Sequence, residues 1–219
     1  MPTLLETKHL LVSRQDPTTR AFARVGTLSF DGREYSFEYE DAADRPLPGL
    51  PLGSSHRSAR LFPIFAERVL DPRRPERRCA LDYLGLSEEA GPFEVLAVSG
   101  GGRTGDTYEL TPVPQPGPVS VPFLVHGIRY LSEASRAQID RLSRGDRLLL
   151  RSEPTNAVTE RALLVTSDGH ALGYVPTPLL EYVHAIMVEE HSLVVERVNP
   201  SEAGVHMRLL VRLTGHYRP

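Results

Sequence analysis

Arginine is the residue type whose clustering in this sequence could do chemistry. The chain has 25 basic residues, and Lys8 is the one lysine among them. Seven arginines lie between residues 57 and 78, and six lie between 129 and 151, each group against three carboxylates. The planar guanidinium suits paired contact with phosphate and stacking on rings. The sequence therefore predicts two patches that face anions; the alternative is an ordinary solvated surface that happens to carry arginine.

The other candidate groups do not assemble enzymatic chemistry. The glycine-rich segment 100–106 lacks the lysine and hydroxyl residue of a phosphate-binding loop, so it is interpreted as a flexible connector. His184 and His191 have no thiolate or carboxylate at ligand spacing. Cys79 is interpreted as a buried structural thiol on an apolar helix face. We therefore expect no catalytic residue, metal site or cofactor, and a hydrolase or transferase is the least favoured class.

Composition limits the kind of protein further. The 219 residues allow one large domain or two small ones, and the net charge of −3 excludes a basic protein that coats nucleic acid indiscriminately. Hydrophobic residues make up 40% and charged residues 24%, which is typical of a globular chain. No stretch has the roughly 20 apolar residues of a membrane span, and residues 1–11 lack a signal-peptide core. We expect a soluble, cytoplasmic protein that does not bind membranes.

The elements that must position these residues differ between the two halves. Residues 8–40 are predicted to form β-strands, with a hairpin turn at Asp31–Gly32. Tyr35, Phe37 and Tyr39 are predicted to share one buried face of the second strand. Residues 41–58 are predicted as loop, 58–86 as helical and 93–98 as a short apolar element. Alternating prolines predict an extended linker over 111–120.

After that linker the sequence predicts short strands and two helices. The predicted strands are 121–130, 147–151, 161–166, 170–175, 192–198 and 205–213; the predicted helices are 135–142, with Ser135 as a possible cap, and 176–187. The prediction is an α+β protein of two small domains. Residues 1–110 form a module of β-hairpin and helix pair, and residues 121–219 form a small OB-like β-barrel with two helices.

Four segments of the second half together resemble a HIRAN domain. They carry a Gly-Ile-Arg-Tyr strand, an Arg-Ser-Glu-Pro-Thr-Asn corner, an Ala-Leu-Leu-Val strand and a Gly-Tyr-Val-Pro strand, within residues 125–130, 148–156, 162–165 and 173–176. The resemblance covers about 121–190, and the domain extends to the C-terminus. It implies an OB-like barrel, and in helicase-linked members of the family a grip on the 3′ end of single-stranded DNA; bacteria carry standalone or fused versions.

The resemblance also implies which residues would contact nucleic acid. Tyr130 would stack a base while Arg129 holds phosphate, and the remaining candidates are Arg151, Asn156, Thr159 and Tyr174. For each the sequence leaves a structural alternative open. Tyr130 could cover the edge of the core, Arg129 could form an ion pair, Asn156 could satisfy the turn backbone, and Tyr174 could simply pack.

One departure from the family pattern concerns selection of the 3′ end. The family usually follows the corner asparagine with Pro-Tyr-Asp, whose aromatic ring and carboxylate read the terminal nucleotide and its hydroxyl. This chain has Ala157, Val158 and Thr159 instead. Valine cannot stack as an aromatic ring does, and threonine is neutral, so the resemblance leaves 3′-end selection open.

The first half resembles the N-terminal subdomain of HipA-type kinases over about 8–110. The similar segments are 25–29, 35–39, 46–52, 61–65 and 81–86, and the kinase body is absent. The resemblance implies an interaction module, because related stand-alone versions act as partners or antitoxins of a separate kinase.

Two hypotheses of function follow. The first is a non-enzymatic accessory protein whose HIRAN-like half binds single-stranded or end-containing DNA. The alternative is an antitoxin-like module or adaptor that docks a HipA-type kinase or a DNA-processing enzyme without binding DNA.

Overall fold

The computed structural model describes residues 9–103 and 107–219. Lys8, which is predicted to lie in a strand, and residues 104–106, which are predicted to belong to a flexible connector, lie outside that range. The chain forms two compact units. One comprises the residues up to 78 together with 87–113, and the other comprises 79–86 together with 114–219.

The first unit is built on a five-stranded antiparallel sheet with strand order β4-β3-β2-β1-β5. Its strands are β1 (His9–Gln15), β2 (Phe22–Phe30), β3 (Tyr35–Tyr39), β4 (His56–Ser58) and β5 (Tyr108–Pro112). The predicted hairpin between β2 and β3 is confirmed, and the Asp31 carboxylate accepts the N–H groups of Arg33 and Glu34 inside the turn. The segment predicted as loop over 41–58 ends in β4, which pairs with the edge of β3.

The core of this unit lies on one face of that sheet. Phe37 is fully buried and Tyr35 is nearly so, which confirms the predicted aromatic face of β3. Short helices α1 (Pro63–Ala66) and α3 (Pro92–Ser99) contribute Phe65, Phe93 and Leu96 to the same cluster. The apolar segment 93–98 is therefore helical, started by a proline in its first turn.

Helix α2 (Glu76–Tyr83) corrects the prediction for Cys79, which is exposed rather than buried. The helix buries Leu81, and a residue two positions away points about 200° around the helix axis from it. Cys79 therefore faces away from the side of the helix that packs.

The second unit contains a six-stranded antiparallel sheet with strand order β6-β11-β10-β7-β8-β9. Its strands are β6 (Gly117–Leu124), β7 (Arg147–Ser152), β8 (Leu163–Ser167), β9 (His170–Tyr174), β10 (Ser192–Val198) and β11 (Leu209–Tyr217). The predicted OB-like barrel is not confirmed, because no ladder of strands closes the sheet within the part of the chain that the structure describes. The two ends approach each other through one isolated bridge, between His126 and Tyr174.

Two helices accompany this sheet, α4 (Glu133–Arg141) and α5 (Leu180–Ile186). Ser132, not Ser135, caps α4: its hydroxyl accepts the N–H of Ser135, three residues on. The strand predicted to reach residue 130 stops at Leu124, and Ile128–Tyr130 forms a 3₁₀ turn instead. No helix in the described parts of the chain is long and apolar enough to cross a membrane.

Strands extend into the segment predicted as a proline-rich linker. Pro112 ends β5, and β6 already begins at Gly117, so only residues 113–116 separate the two strands. Pro118 and Pro122 both lie in β6, opposite His216 and Arg212 of β11. Proline is tolerated there because β6 lies at the end of the strand order, where its missing N–H breaks no second ladder.

Candidate nucleic-acid interface

The turn that carries Arg129 and Tyr130 is fixed by its first residues. His126 exchanges two backbone hydrogen bonds with Tyr174, at 2.9 and 2.8 Å. Gly127 then adopts a φ of +78°, which reverses the chain into the 3₁₀ turn. Ile128 is 3% exposed and anchors the turn in the core, while Arg129 and Tyr130 both face solvent.

Arg129 and Tyr130 form one unit on that turn. The guanidinium carbon lies 4.5 Å from the centre of the tyrosine ring, and the guanidinium also donates to the phenol oxygen. Tyr130 is nevertheless 72% exposed. The alternative in which Tyr130 covers the core edge is therefore wrong, and within the described residues Arg129 pairs with a ring rather than with a carboxylate.

The two glycines of the resembling motifs permit a close approach of two chain segments. Gly173 has a φ of +125°, and a Cβ there would lie 2.4 Å from the carbonyl oxygen of His126 and 2.6 Å from Val125. A Cβ on Gly127 would lie 3.1 Å from the ring of Tyr174. Side chains at these positions would separate the turn from β9, so the glycines keep Arg129 and Tyr130 beside Tyr174.

The corner after β7 is organised by the carboxylate of Glu153. Its Oε2 accepts hydrogen bonds from the Tyr174 hydroxyl at 2.7 Å and from the Asn156 amide at 2.9 Å. The Asn156 carbonyl oxygen in turn accepts the N–H of Val158 at 2.9 Å. Both ends of the Asn156 side chain are thus occupied within the corner, as the turn-forming alternative requires.

These hydrogen bonds shift two pKa values in opposite directions. Donation from Asn156 and then from Tyr174 lowers the pKa of Glu153; burial opposes this less strongly, and the nearby charge of Arg151 adds the smallest lowering. Burial first, and then the bond to the Glu153 carboxylate, raises the pKa of Tyr174. Glu153 is therefore an anion at neutral pH and Tyr174 is a neutral donor.

Arg151 and Thr159 lie on either side of this corner in the chain. Arg151 is exposed on β7 opposite Leu164 of β8, and Leu164 is opposite Tyr174 of β9, so all three point to one face of the sheet. Thr159 is half-buried, and its hydroxyl accepts the N–H of Arg161 at 3.2 Å. Val158, where the family has an aromatic residue, is 45% exposed.

The structure gathers most of the predicted residues at one end of the second unit. The turn with Arg129 and Tyr130 meets Tyr174, and the network around Glu153 joins Tyr174 to Asn156. Glu153 is not among the site residues predicted from the sequence. Its place inside the Arg-Ser-Glu-Pro-Thr-Asn motif was the available signal, because an acidic residue next to a turn asparagine has a donor within reach.

Comparison with known proteins identifies the same part of the chain. The family model of the HIRAN domain matches residues 119–217. The crystal structure of the HIRAN domain of human HLTF is 19% identical, with a TM-score of 0.35 over 47% of this chain and 82% of that chain. A crystal structure of a protein from Lactobacillus plantarum is 22% identical, with a TM-score of 0.33 over 46% of this chain and 100% of that chain. Among curated proteins, none matches.

The HIRAN resemblance of the second half is thereby confirmed for residues 119–217. The resemblance of residues 8–110 to the N-terminal subdomain of HipA-type kinases stays a prediction.

We predict that Gly173→Ala destabilises the protein more than Gly169→Ala. Both glycines have a positive φ, but only Gly173 has backbone and side-chain atoms where a Cβ would lie, whereas Gly169 has open space. Backbone strain alone costs about 1–2 kcal/mol, and a forced shift of packed atoms adds about 1–3 kcal/mol. Urea denaturation of both variants measures the difference; equal losses would contradict the close approach.

We predict that the free energy of unfolding of the Glu153→Gln variant depends less on pH in acid than that of the wild type. A carboxyl whose folded pKa lies below its unfolded pKa stabilises the fold above the unfolded value, near 4.5 for glutamate, and this contribution disappears as the pH falls through the folded pKa. The free energy of unfolding, measured between about pH 3 and pH 7, should therefore fall more steeply with acid in the wild type than in the variant. Glu160→Gln, at an exposed position of the same corner, is the control.

Proposed function

We propose, taking the HIRAN domain at residues 119–217 as the premise, that this protein binds single-stranded or end-containing DNA and performs no catalysis itself. The pair of Arg129 and Tyr130 carries the proposal. It offers a solvent-exposed aromatic ring and a guanidinium on one rigid turn, which is the combination that holds a base and its phosphate.

The energies favour a base on the tyrosine. Stacking of a base on an aromatic side chain is worth about 1–3 kcal/mol. The exposed contact between Arg129 and the ring is worth about 0.5–1 kcal/mol. Stacking of a base on the ring is therefore more favourable than the contact between the ring and the guanidinium. Arg129 can stay on one face of Tyr130 while a base stacks, or it can move away from the ring and bind a phosphate.

The charges around the corner set where phosphates can lie. Ionised Glu153 repels a phosphate, and its hydrogen bonds to Asn156 and Tyr174 already satisfy its Oε2 atom. Exposed Arg129 and Arg151 attract phosphates, and Arg151 also offsets part of the Glu153 charge. Because the whole chain is net acidic, its overall charge does not attract polyanions, and binding depends on local groups such as these arginines.

The departure at Val158 and Thr159 argues against strict recognition of a 3′ end. Val158 has no ring, and the Thr159 hydroxyl is neutral and already accepts a backbone hydrogen bond. We infer that the domain binds single strands at ends and internally with little preference.

Replacement of the pair should weaken binding to single-stranded DNA. For an Arg129→Ala, Tyr130→Ala variant we predict a loss of about tenfold to a hundredfold, from the stacking energy. The slope of log affinity against log salt should fall by about 0.7 for each phosphate that the variant no longer neutralises. Tyr130→Phe should retain most of the affinity, because it keeps the ring.

Fluorescence anisotropy with single-stranded, duplex and RNA oligonucleotides at two salt concentrations measures these effects. Arg218→Ala is the matched control, since Arg218 is exposed in the same unit but pairs with Glu189. Absence of binding to any single strand at low salt would refute the proposed function. Tighter binding to RNA than to DNA would refute the choice of DNA.

We further predict that strands with a free 3′ hydroxyl and strands with a 3′ phosphate bind equally. A Val158→Tyr, Thr159→Asp variant should prefer the free hydroxyl, because it supplies the ring and the carboxylate that the family pattern uses. Competition between the two strands on both proteins tests this. A wild type that strongly prefers the free hydroxyl would show that other residues select the end.

A further inference from the structure

The outward face of β7 presents a row of three exposed side chains. Arg147, Leu149 and Arg151 alternate along the strand and therefore point to the same side of the sheet. Leu149 is 70% exposed, whereas its neighbour Leu148 on the opposite face is 4% exposed. We call this row the β7 track.

Among the described residues, no carboxylate lies directly across the sheet from a residue of the β7 track. The cross-strand partners are Val194 for Arg147, Thr166 for Leu149 and Leu164 for Arg151, none of them a carboxylate. Opposite charges directly across two strands are where a sheet would neutralise an arginine. Within residues 9–103 and 107–219, neither arginine of the track forms an ion pair.

The arginines of this unit fall into two groups: Arg136, Arg141 and Arg161 are exposed like those of the track, whereas five others form ion pairs. Arg144, Arg197, Arg208, Arg212 and Arg218 each pair with a carboxylate. The β7 track thus combines unpaired guanidinium groups with an exposed leucine between them. An anion with apolar parts matches that combination, whereas a simple ion would make no apolar contact with the leucine.

The track is continuous with the interface described above. Arg151 ends it, on the same face of the sheet as Tyr174, and its charge acts on the Glu153 carboxylate at the corner. Arg147 lies four residues back, about 13 Å away along the strand. A ligand held at Tyr130 can therefore continue past Arg151 only if it is several units long.

We propose that the β7 track carries a single-stranded nucleic acid onward from the site at Arg129 and Tyr130. This inference rests on the proposed function and extends it, because it assigns the length of the ligand. Arg151 and Arg147 bind phosphates some nucleotides apart, and Leu149 packs against a base or sugar between them. A strand long enough to reach Arg147 gains affinity that a shorter one lacks.

The test compares a strand of about four nucleotides with one of about twelve, within the site sizes usual for single-strand binding. The wild type should bind the longer strand at least about tenfold more tightly. Leu149→Ser and, separately, Arg147→Ala should each lower affinity for the longer strand about fivefold and leave the shorter strand unaffected. For Arg147→Ala the salt slope should fall by about 0.7 with the longer strand only.

Controls separate this inference from the proposed function. Val188→Ser removes an apolar side chain outside the track that is even more exposed than Leu149, and it should change neither affinity. The Arg129→Ala, Tyr130→Ala variant should weaken both strands. If it does so while Leu149→Ser and Arg147→Ala change nothing, the track is refuted and the proposed function stands.

Three further outcomes overturn the inference. A loss of equal size with both strands would place Leu149 in the first site. Unchanged DNA binding by Leu149→Ser, together with abolished binding of a polyglutamate peptide that the wild type binds, would assign the face to an acidic protein partner. A wild type that binds neither strand refutes both proposals. Because Leu149 and Arg147 are exposed, thermal melting should show both variants as stable as the wild type.

Discussion

The interface depends on the contact between the backbone of His126 and the backbone of Gly173 and Tyr174. This contact lets two segments far apart in the sequence lie closer than any pair of ordinary side chains allows, because glycine stands at the two crowded positions. The turn with the exposed ring, the corner asparagine and β9 are all placed by it. The turn is thus positioned by main-chain geometry, and the side chains of Arg129 and Tyr130 are left exposed to solvent.

A second constraint is electrostatic. A carboxylate next to a surface proposed to bind polyanions is unfavourable unless it has a structural role, and Glu153 has one: it holds the hydroxyl of Tyr174 and the amide of Asn156 in fixed positions. The cost of that negative charge is local repulsion of phosphate. The benefit is a corner whose shape does not depend on the ligand, so less entropy is lost on binding.

The sequence predicted those parts of the fold that local patterns determine. The Asp31–Gly32 hairpin and the buried face of β3 follow from turn chemistry and alternation, and both are confirmed. Periodicity failed where a single residue reverses the chain: nothing in residues 121–130 shows that Gly127 ends the extended run. The prediction also failed for Cys79, because the sequence pattern alone did not show which side of helix α2 packs against the protein.

The candidate site residues were named from the sequence and stay a prediction, whereas their arrangement could not be predicted. The motif glycines and the exposed pair of Arg129 and Tyr130 follow from the resemblance, whereas the partners of Asn156 and Tyr174 required coordinates. Closure of the sheet was predicted and is not confirmed, because one bridge, and not a ladder, joins its ends. Bridge pairing depends on tertiary distance, which no local pattern contains.

The prolines of β6 have a consequence for how this protein behaves at high concentration. Pro118 and Pro122 are four residues apart, so their nitrogens face the same edge of the strand, away from β11. A strand from another molecule that approached this edge of β6 would meet two residues without a backbone N–H donor, so it could not extend the sheet in register. This border of the molecule is therefore protected against the edge-to-edge growth that leads from soluble sheets to fibrils.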